Sequence, residues 1–302
     1  CMKKLTFVIF TYNRPKHLLK SLRSLSKCKD YNKTPFTIII DKADDNKIIN
    51  AYKTLLRKLP KNFNFVIRKK RLGLKKNIKM GLTELSRNNK YLIVGEDDLI
   101  YHKDFIIYMK KNLKRYENVK KIAAISGFSY IDNNFLNRVE GQYAAQLTPT
   151  WGWATWSNRW KLFINTDLNN QKKILFSNKN LLKRFDYDGV QNHSAWLKLD
   201  EKKIISSWNI EWELFCFFKK KLSLYPRYTM TKNIGFDGSG THHKKTNYNY
   251  QSLRKKMNLL ELNYSKKIRK DEDLIARELI KQKISVSIIK KKIVDFRRFL
   301  KL

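Results

Sequence analysis

Cysteine is scarce in this 302-residue chain, long hydrophobic runs are missing, and acids are far outnumbered by bases. The three cysteines, Cys1, Cys28 and Cys216, stand far apart with no paired spacing. That argues against a disulfide framework and against a cysteine zinc site. A reducing, cytoplasmic compartment is the expectation. No apolar run reaches transmembrane length, so a soluble or peripherally attached protein is expected. Neither a clean linker nor an internal repeat interrupts the chain. The acids number 26 against 65 Lys and Arg, a net charge of +39. Such a charge favours an anionic partner: nucleic acid, an anionic membrane surface or a phosphorylated substrate. The bases are spread along the chain rather than grouped in a nucleic-acid reader motif, so no nucleic-acid partner is expected. A compositional bias towards Lys and Asn explains much of the charge equally well.

What is present is an alternation of apolar runs and helix-like segments. Leu5 to Phe10 reads as a strand, and Pro15 can open a helix through about Leu25. Phe36 to Ile40 reads as a second strand ending at Asp41, Ile48 to Leu59 as a helix, and Phe63 to Ile67 as a third strand. Gly73 to Ser86 carries apolar residues with a helical period, and Tyr91 to Val94 reads as a fourth strand. Alternation of this kind implies βαβ units and a parallel sheet. Ligands then bind beyond the carboxyl ends of the strands. Thr11 to Arg14, Asp41 and Glu96 to Asp98 should face one crevice. From about Ile122 the periodicity blurs and aromatics concentrate.

The run Tyr91-Leu92-Ile93-Val94-Gly95 ends in Glu96-Asp97-Asp98. Three adjacent carboxylates repel one another unless a cation neutralises them. Oxygen ligands at a strand tip suit Mg²⁺ or Mn²⁺. A solvated acidic turn is the plainer alternative. Three tryptophans, Trp151, Trp153 and Trp156, surround Gly152. Aromatic faces stack on sugars, and glycine lets backbone approach a ligand closely. Core aromatics around a tight turn would look the same. Glu211 sits between apolar neighbours in Trp208-Asn209-Ile210-Glu211-Trp212-Glu213, where desolvation would suit a general base. A surface Glu beside core tryptophans is its plainer reading. Thr231 to His243 is glycine-rich and could carry backbone amides to phosphate oxygens, with His242 or His243 completing a metal site.

Leu279 to Leu302 holds eight bases and one acid, Asp295. Its apolar residues approximate one helical face, which reads as membrane-surface binding or as a terminal helix packed on its own domain.

The chain resembles bacterial glycosyltransferases with the GT-A nucleotide-diphosphosugar fold. In order, the likeness is carried by Phe10-Thr11-Tyr12-Asn13-Arg14-Pro15, Asp41, Arg71-Leu72-Gly73-Leu74, Gly95-Glu96-Asp97-Asp98, Ile125-Ser126-Gly127-Phe128, Trp151 to Trp156, Trp208 to Trp212, and Asn233-Ile234-Gly235 to His242. Surface-polysaccharide sugar transferases are the nearest in kind, with a distant similarity to animal N-acetylglucosaminyltransferase I. The resemblance implies an α/β fold, a Rossmann-like mixed sheet flanked by helices, with a basic helical C-terminal tail. It spans about residues 2–245, so residues 1–245 are expected to form the transferase domain. Residues 246–302 would be a basic helical extension that associates with a membrane or a partner.

The resemblance also implies roles. Thr11, Tyr12, Arg14, Asp41 and Arg71 would hold the nucleotide. Glu96 would support, Asp97 would contact ribose or a metal-bound water, and Asp98 would bind Mn²⁺ or Mg²⁺ directly with His242. Gly152 and Trp153 would line the donor sugar. Glu211 matches the acidic position that serves as catalytic base in inverting members. Related sequences often carry Asp where this chain has Asn209, so either Glu211 has taken the base role or the enzyme is impaired. The implied reaction moves a sugar from a nucleotide-diphosphate-sugar donor to a glycan or lipid-linked glycan of a capsule or lipopolysaccharide. Its place would be the inner face of the cytoplasmic membrane, with anionic lipids as a further partner. A sugar nucleotidyltransferase is the alternative, but that class begins with a Gly-rich loop after strand one, and Thr11 to Arg14 contains no glycine.

Overall fold

The computed structural model describes residues 4–43, 45–129, 141–189 and 191–238. His242, the glycine-loop residues from 239 onwards, the tail from Leu279 to Leu302 and the whole of 246–302 lie outside the described residues.

The amino-terminal half is the expected alternation. Strand β1 (Leu5–Thr11) leads into helix α1 (Pro15–Leu25), followed by β2 (Phe36–Ile40), α2 (Asn46–Leu56), β3 (Phe63–Ile67), α3 (Leu74–Leu85) and β4 (Tyr91–Glu96). Several boundaries differ from the sequence reading: helix α2 ends at Leu56 rather than Leu59, and α3 is one residue shorter at each end. Helix α2 begins two residues early because the Asp45 side chain caps it, accepting from the Lys47 amide at 2.7 Å. Strand β1 runs to Thr11 and β4 to Glu96, because Phe10 pairs with Glu96 and Thr11 with Ile40 in the parallel ladder.

The second half adds β5 (Leu99–Tyr101), α4 (Phe105–Arg115), β6 (Ile122–Ser126), β7 (Tyr143–Ala145) and β8 (Trp153–Trp156). Helices α5 (Ser157–Ile164), α6 (Leu168–Ser177), α7 (Lys179–Phe185), α8 (His193–Glu201) and α9 (Trp208–Phe218) follow, then β9 (Leu222–Tyr225) and β10 (Thr231–Asn233). Eight strands form one sheet in the order β3-β2-β1-β4-β8-β6-β9-β7, and β10 and β5 make a separate ribbon. The pairs among β1 to β4 are parallel, whereas β8 runs antiparallel to both β4 and β6. The sheet is therefore mixed, as the GT-A resemblance implied, rather than wholly parallel.

The central strands are apolar on both faces because both are covered. One face packs Phe7, Ile9, Ile38 and Ile93 against Leu18 and Leu22 of α1 and Phe105 and Met109 of α4. The other packs Val8, Phe10 and Val94 with Ile78 and Leu82 of α3 and the rings of Trp153, Trp160, Trp208 and Trp212. Because β1, β2 and β4 are parallel neighbours, their carboxyl ends open on the same edge of the sheet. The amide of Asp41 donates to the Thr11 carbonyl at 3.0 Å, and that of Asp97 to the Phe10 carbonyl at 3.1 Å.

Candidate active site

The acidic triplet is partly neutralised by a guanidinium supplied from the loop after β1. Arg14 Nη2 lies 2.5 Å from Asp97 Oδ1 and 3.0 Å from Asp98 Oδ2. Burial opposes the charge of Arg14, but Asp97, Asp98 and Glu96 outweigh it and hold its pKa above the usual value. One cation against three carboxylates is too little. Burial, and then the charges of Asp98 and Asp97, push Glu96 above the ordinary carboxylate range; burial does the same to Asp97 against the pull of Arg14.

Asp97 accepts three bonds from the protein, one of them from Arg14 at Oδ1. Its Oδ2 accepts from Thr11 Oγ1 at 2.7 Å and from the Tyr12 amide at 3.4 Å. Thr11 is oriented in turn by Tyr52 of α2, whose hydroxyl lies 2.7 Å from Thr11 Oγ1 and accepts from the Arg14 amide at 3.0 Å. Tyr52 is a site residue that the sequence reading missed; it looks like one more apolar position of an amphipathic helix. Asp98 differs from Asp97. Its Oδ1 is buried with no hydrogen-bond partner. A buried carboxylate oxygen left bare costs free energy unless something binds it.

That bare oxygen is the test of whether a divalent ion fits. Mg²⁺-type sites commonly use one or two carboxylates, with substrate phosphates completing the shell. Asp98 Oδ1, beside an under-neutralised cluster, meets that requirement. Among the described residues no group of three or more His, Cys, Asp and Glu side chains forms a protein-only cage. A second protein ligand is expected at His242, outside the described residues.

Asp41 and Arg71 are joined by one loop. Asp41 accepts from the amides of Leu72 at 2.9 Å and Gly73 at 2.8 Å, and from that of Lys42 at 3.0 Å. The carboxylate thus pins the turn before α3, where Gly73 adopts φ +76°. That turn sets the Arg71 guanidinium 4.8 Å from the centroid of the Tyr12 ring. Tyr12 and Arg71 form a stacked polar platform at the crevice edge, with Arg71 exposed.

The segment after β10 closes the cluster from the far side. The Ile234 amide donates to the Asp98 carbonyl at 2.7 Å, and Asp237 Oδ2 lies 3.0 Å from His17 Nε2 of α1. Gly235 packs directly on Asp98; a β-carbon there would collide with Asp98 Oδ2 and come within 3.1 Å of Arg14 Nη1.

Two expectations are corrected by packing. Trp153 is buried at 2% exposure, stacked on Trp208 at 5.0 Å and against Trp160 and Trp212. It belongs to the core, as the plainer reading of the tryptophans had it. Trp151 is the one beside the site, with its ring edge-on to Phe236 at 5.7 Å and to Phe128 at 4.7 Å. Gly152 is also buried, and its lack of a side chain is used by the protein: a β-carbon would fall 2.8 Å from Thr231 and 3.3 Å from the Phe105 ring.

Glu211 lies buried on α9, and two lysines set its ionisation. Burial pushes it up, yet Lys75 and Lys79 of α3 more than compensate and hold it below the usual carboxylate range. Oε1 lies 2.8 Å from Lys75 Nζ and Oε2 2.8 Å from Lys79 Nζ. Lys75 also contacts Asp200 of α8 at 2.6 Å. Asn209 hydrogen-bonds through its side chain to Ser207, and its carbonyl accepts from Thr148. Neither lysine could be singled out in a sequence so rich in them.

The family model described as glycosyl transferase family 2 matches residues 6–189, more than half of the chain. No curated protein matches the chain in sequence. Among solved structures, the mannosyltransferase PcManGT from Pyrobaculum calidifontis, in complex with GDP-Man and Mn²⁺, is 16% identical, with 51% of this chain and 44% of that one covered and a TM-score of 0.39. TarS 1-349 from S. aureus, in complex with UDP-GlcNAc, is 15% identical, with 41% of this chain and 33% of that one covered and a TM-score of 0.33. The matched part spans less than half the length of either solved structure.

Proposed function

The chain belongs to glycosyl transferase family 2, and we propose that it is a glycosyltransferase that moves a sugar from a nucleotide-diphosphate-sugar donor to a bacterial surface glycan or lipid-linked glycan, with inversion. The observation that carries this reading is the buried pair Asp97–Asp98 under Arg14, with Asp98 Oδ1 bare at the carboxyl edge of the sheet.

In this reading the nucleotide lies across Tyr12 and Arg71, whose loop is fixed by Asp41. Thr11 and Tyr52 hold Asp97 in position for the ribose. Asp98, with His242, would hold Mn²⁺ or Mg²⁺, which supplies charge neutralisation of the departing nucleoside diphosphate. Arg14 contributes positive charge at the same place, where it is worth more than in water because the site is partly dry. Trp151 and Phe236 offer the aromatic surface for a sugar face.

Glu211 is the carboxylate assigned to the acceptor hydroxyl. Lys75 and Lys79 keep it ionised, as a base has to be, and the acceptor must displace one lysine to reach it. The division into a transferase domain at 1–245 and an associating extension at 246–302 belongs to the same proposal. So does a place at the cytoplasmic face of the membrane; no helix among the described residues is long and apolar enough to cross one.

The test is release of nucleoside diphosphate from a panel of nucleotide sugars, with and without Mn²⁺, using the full chain. Turnover of one donor, lost in the Asp98→Asn variant, supports the proposal. Absence of both turnover and metal-dependent nucleotide binding across the panel would defeat it.

A further inference from the structure

We propose that the groove between α1 and β5 is a second anion site, separate from the nucleotide crevice, that takes the phosphate group of an amphiphilic or soluble ligand. The groove encloses about 390 Å³ and is lined by Lys20, Arg23, Ser24, Lys27, Ile100, Tyr101 and Lys103. Positions 20, 23, 24 and 27 fall on one face of α1 and its continuation, so three cations point the same way. Lys103, from the turn after β5, faces them.

Composition alone does not produce this lining. With 65 Lys and Arg in 302 residues, seven lining positions would hold about one or two bases by chance; these hold four, and no acid. The acids nearest in sequence are already used: Asp30 pairs with Lys110 at 3.1 Å and Asp104 with Lys29 at 2.8 Å. Among the described residues none of the four lining cations has an ion-pair partner. A fifth cation, Lys232, stands opposite Ile100 in the β10–β5 ribbon and so shares its face.

The floor is apolar, made by Ile100 and the buried Tyr101. Ser24 adds no free hydroxyl, because it donates to the Ser21 carbonyl at 2.7 Å and accepts from the Tyr101 amide at 3.1 Å. Recognition therefore rests on converging positive charge over a small apolar floor, which suits a phosphate mono- or diester with an attached non-polar group. The site adjoins the reaction centre without sharing residues with it. Lys20 lies six residues beyond Arg14, roughly 9 Å along the helix, and Ile100 follows Asp98 by two residues.

The experiment compares the full chain with a lining variant (Lys20→Ala, Arg23→Ala, Lys27→Ala, Lys103→Ala). A control variant loses the same charge elsewhere (Lys53→Ala, Lys58→Ala, Lys61→Ala, Lys173→Ala), at positions that are all exposed. Two probes are used in metal-free buffer: phosphatidylcholine vesicles with and without phosphatidylglycerol, and inorganic phosphate. The lining variant should bind the anionic vesicles, or phosphate, about tenfold more weakly than the control. A loss confined to vesicles identifies a lipid headgroup; a loss confined to inorganic phosphate identifies a soluble phosphate. Equal binding by lining and control variants to both probes overturns the proposal and leaves only bulk charge. Should the fourfold lining variant unfold, Lys20→Ala with Lys27→Ala, both solvent-exposed, must show the same direction.

Discussion

Lys75 Nζ lies 2.8 Å from a carboxylate oxygen of Glu211, joining α3 to α9. Lys79 holds the other oxygen at 2.8 Å, so a buried acid carries two counter-charges. This pairing reverses what burial alone would do to Glu211, and it has consequences for pH.

A carboxylate whose folded pKa is depressed contributes stability above its unfolded value, near 4.5. That contribution is lost as pH falls below about 4.5 through the lower folded value. Glu211→Gln should flatten the acid side of a stability–pH curve and, if Glu211 is the base, lower kcat by at least about 100-fold. Lys79→Met removes one counter-charge and should move the acid limb of the rate profile upward. Identical acid limbs in wild type and Lys79→Met would remove Glu211 from the base role.

Arg14→Met leaves Asp97 and Asp98 without their cation. Breaking a buried pair from one side costs about 3–5 kcal/mol, and Arg14 is mostly enclosed, with 19% of its side chain exposed. The metal-free variant should melt well below wild type, and Mn²⁺ should raise its melting temperature more than it raises that of wild type. The same Mn²⁺ increment in both proteins would show that no divalent ion shares the carboxylates with Arg14.

Tyr52→Phe removes one hydroxyl that bonds Thr11 and receives the Arg14 amide. The Arg14 amide left unpaired should cost about 1–3 kcal/mol, while Thr11 keeps its bond to Asp97. Nucleotide affinity should fall with it, since Thr11 orients Asp97. Chemical denaturation and nucleotide titration of the same preparation check both; unchanged affinity at reduced stability would make Tyr52 a core residue only.

Gly235 and Gly73 separate two uses of glycine. An alanine at 235 would strike Asp98 and crowd Arg14, so Gly235→Ala should abolish donor turnover while Trp fluorescence of the distant aromatic core stays native-like. A β-carbon at 73 would meet nothing within 4 Å, and only its φ of +76° penalises it. Gly73→Ala should cost about 1–3 kcal/mol, since φ +76° with ψ 162° is essentially a glycine conformation, with turnover largely kept. Equal effects on turnover would contradict the distinction.

Much of the amino-terminal half was legible. Pro15 to Leu25, Phe36 to Ile40 and Phe63 to Ile67 matched the structure residue for residue, because apolar period and helix-start signals are local. The grouping of Thr11, Asp41 and Asp97 was legible too, since parallel strands must end on one edge. The expectation for Trp153 did not hold, because an aromatic suited to a sugar is equally suited to a core, and only α5 and α9 decide between them. Glu211 was placed on the right helix, but its two lysine partners were not legible, since Lys75 and Lys79 lie more than 130 residues earlier in the chain.

The sequence by itself determined the βαβ alternation, the strand-end carboxylates and the positive charge, all of which depend on residues near one another in the chain. Tertiary structure decided what neutralises those carboxylates and what each conserves for a ligand. Arg14 and Gly235 reach Asp97 and Asp98 from separate parts of the chain, Tyr52 acts on them through Thr11 and Arg14, and electrostatics acts through space rather than along the backbone. Only the fold could show that Asp97 is held by Thr11, Tyr12 and Arg14 while one oxygen of Asp98 is left bare.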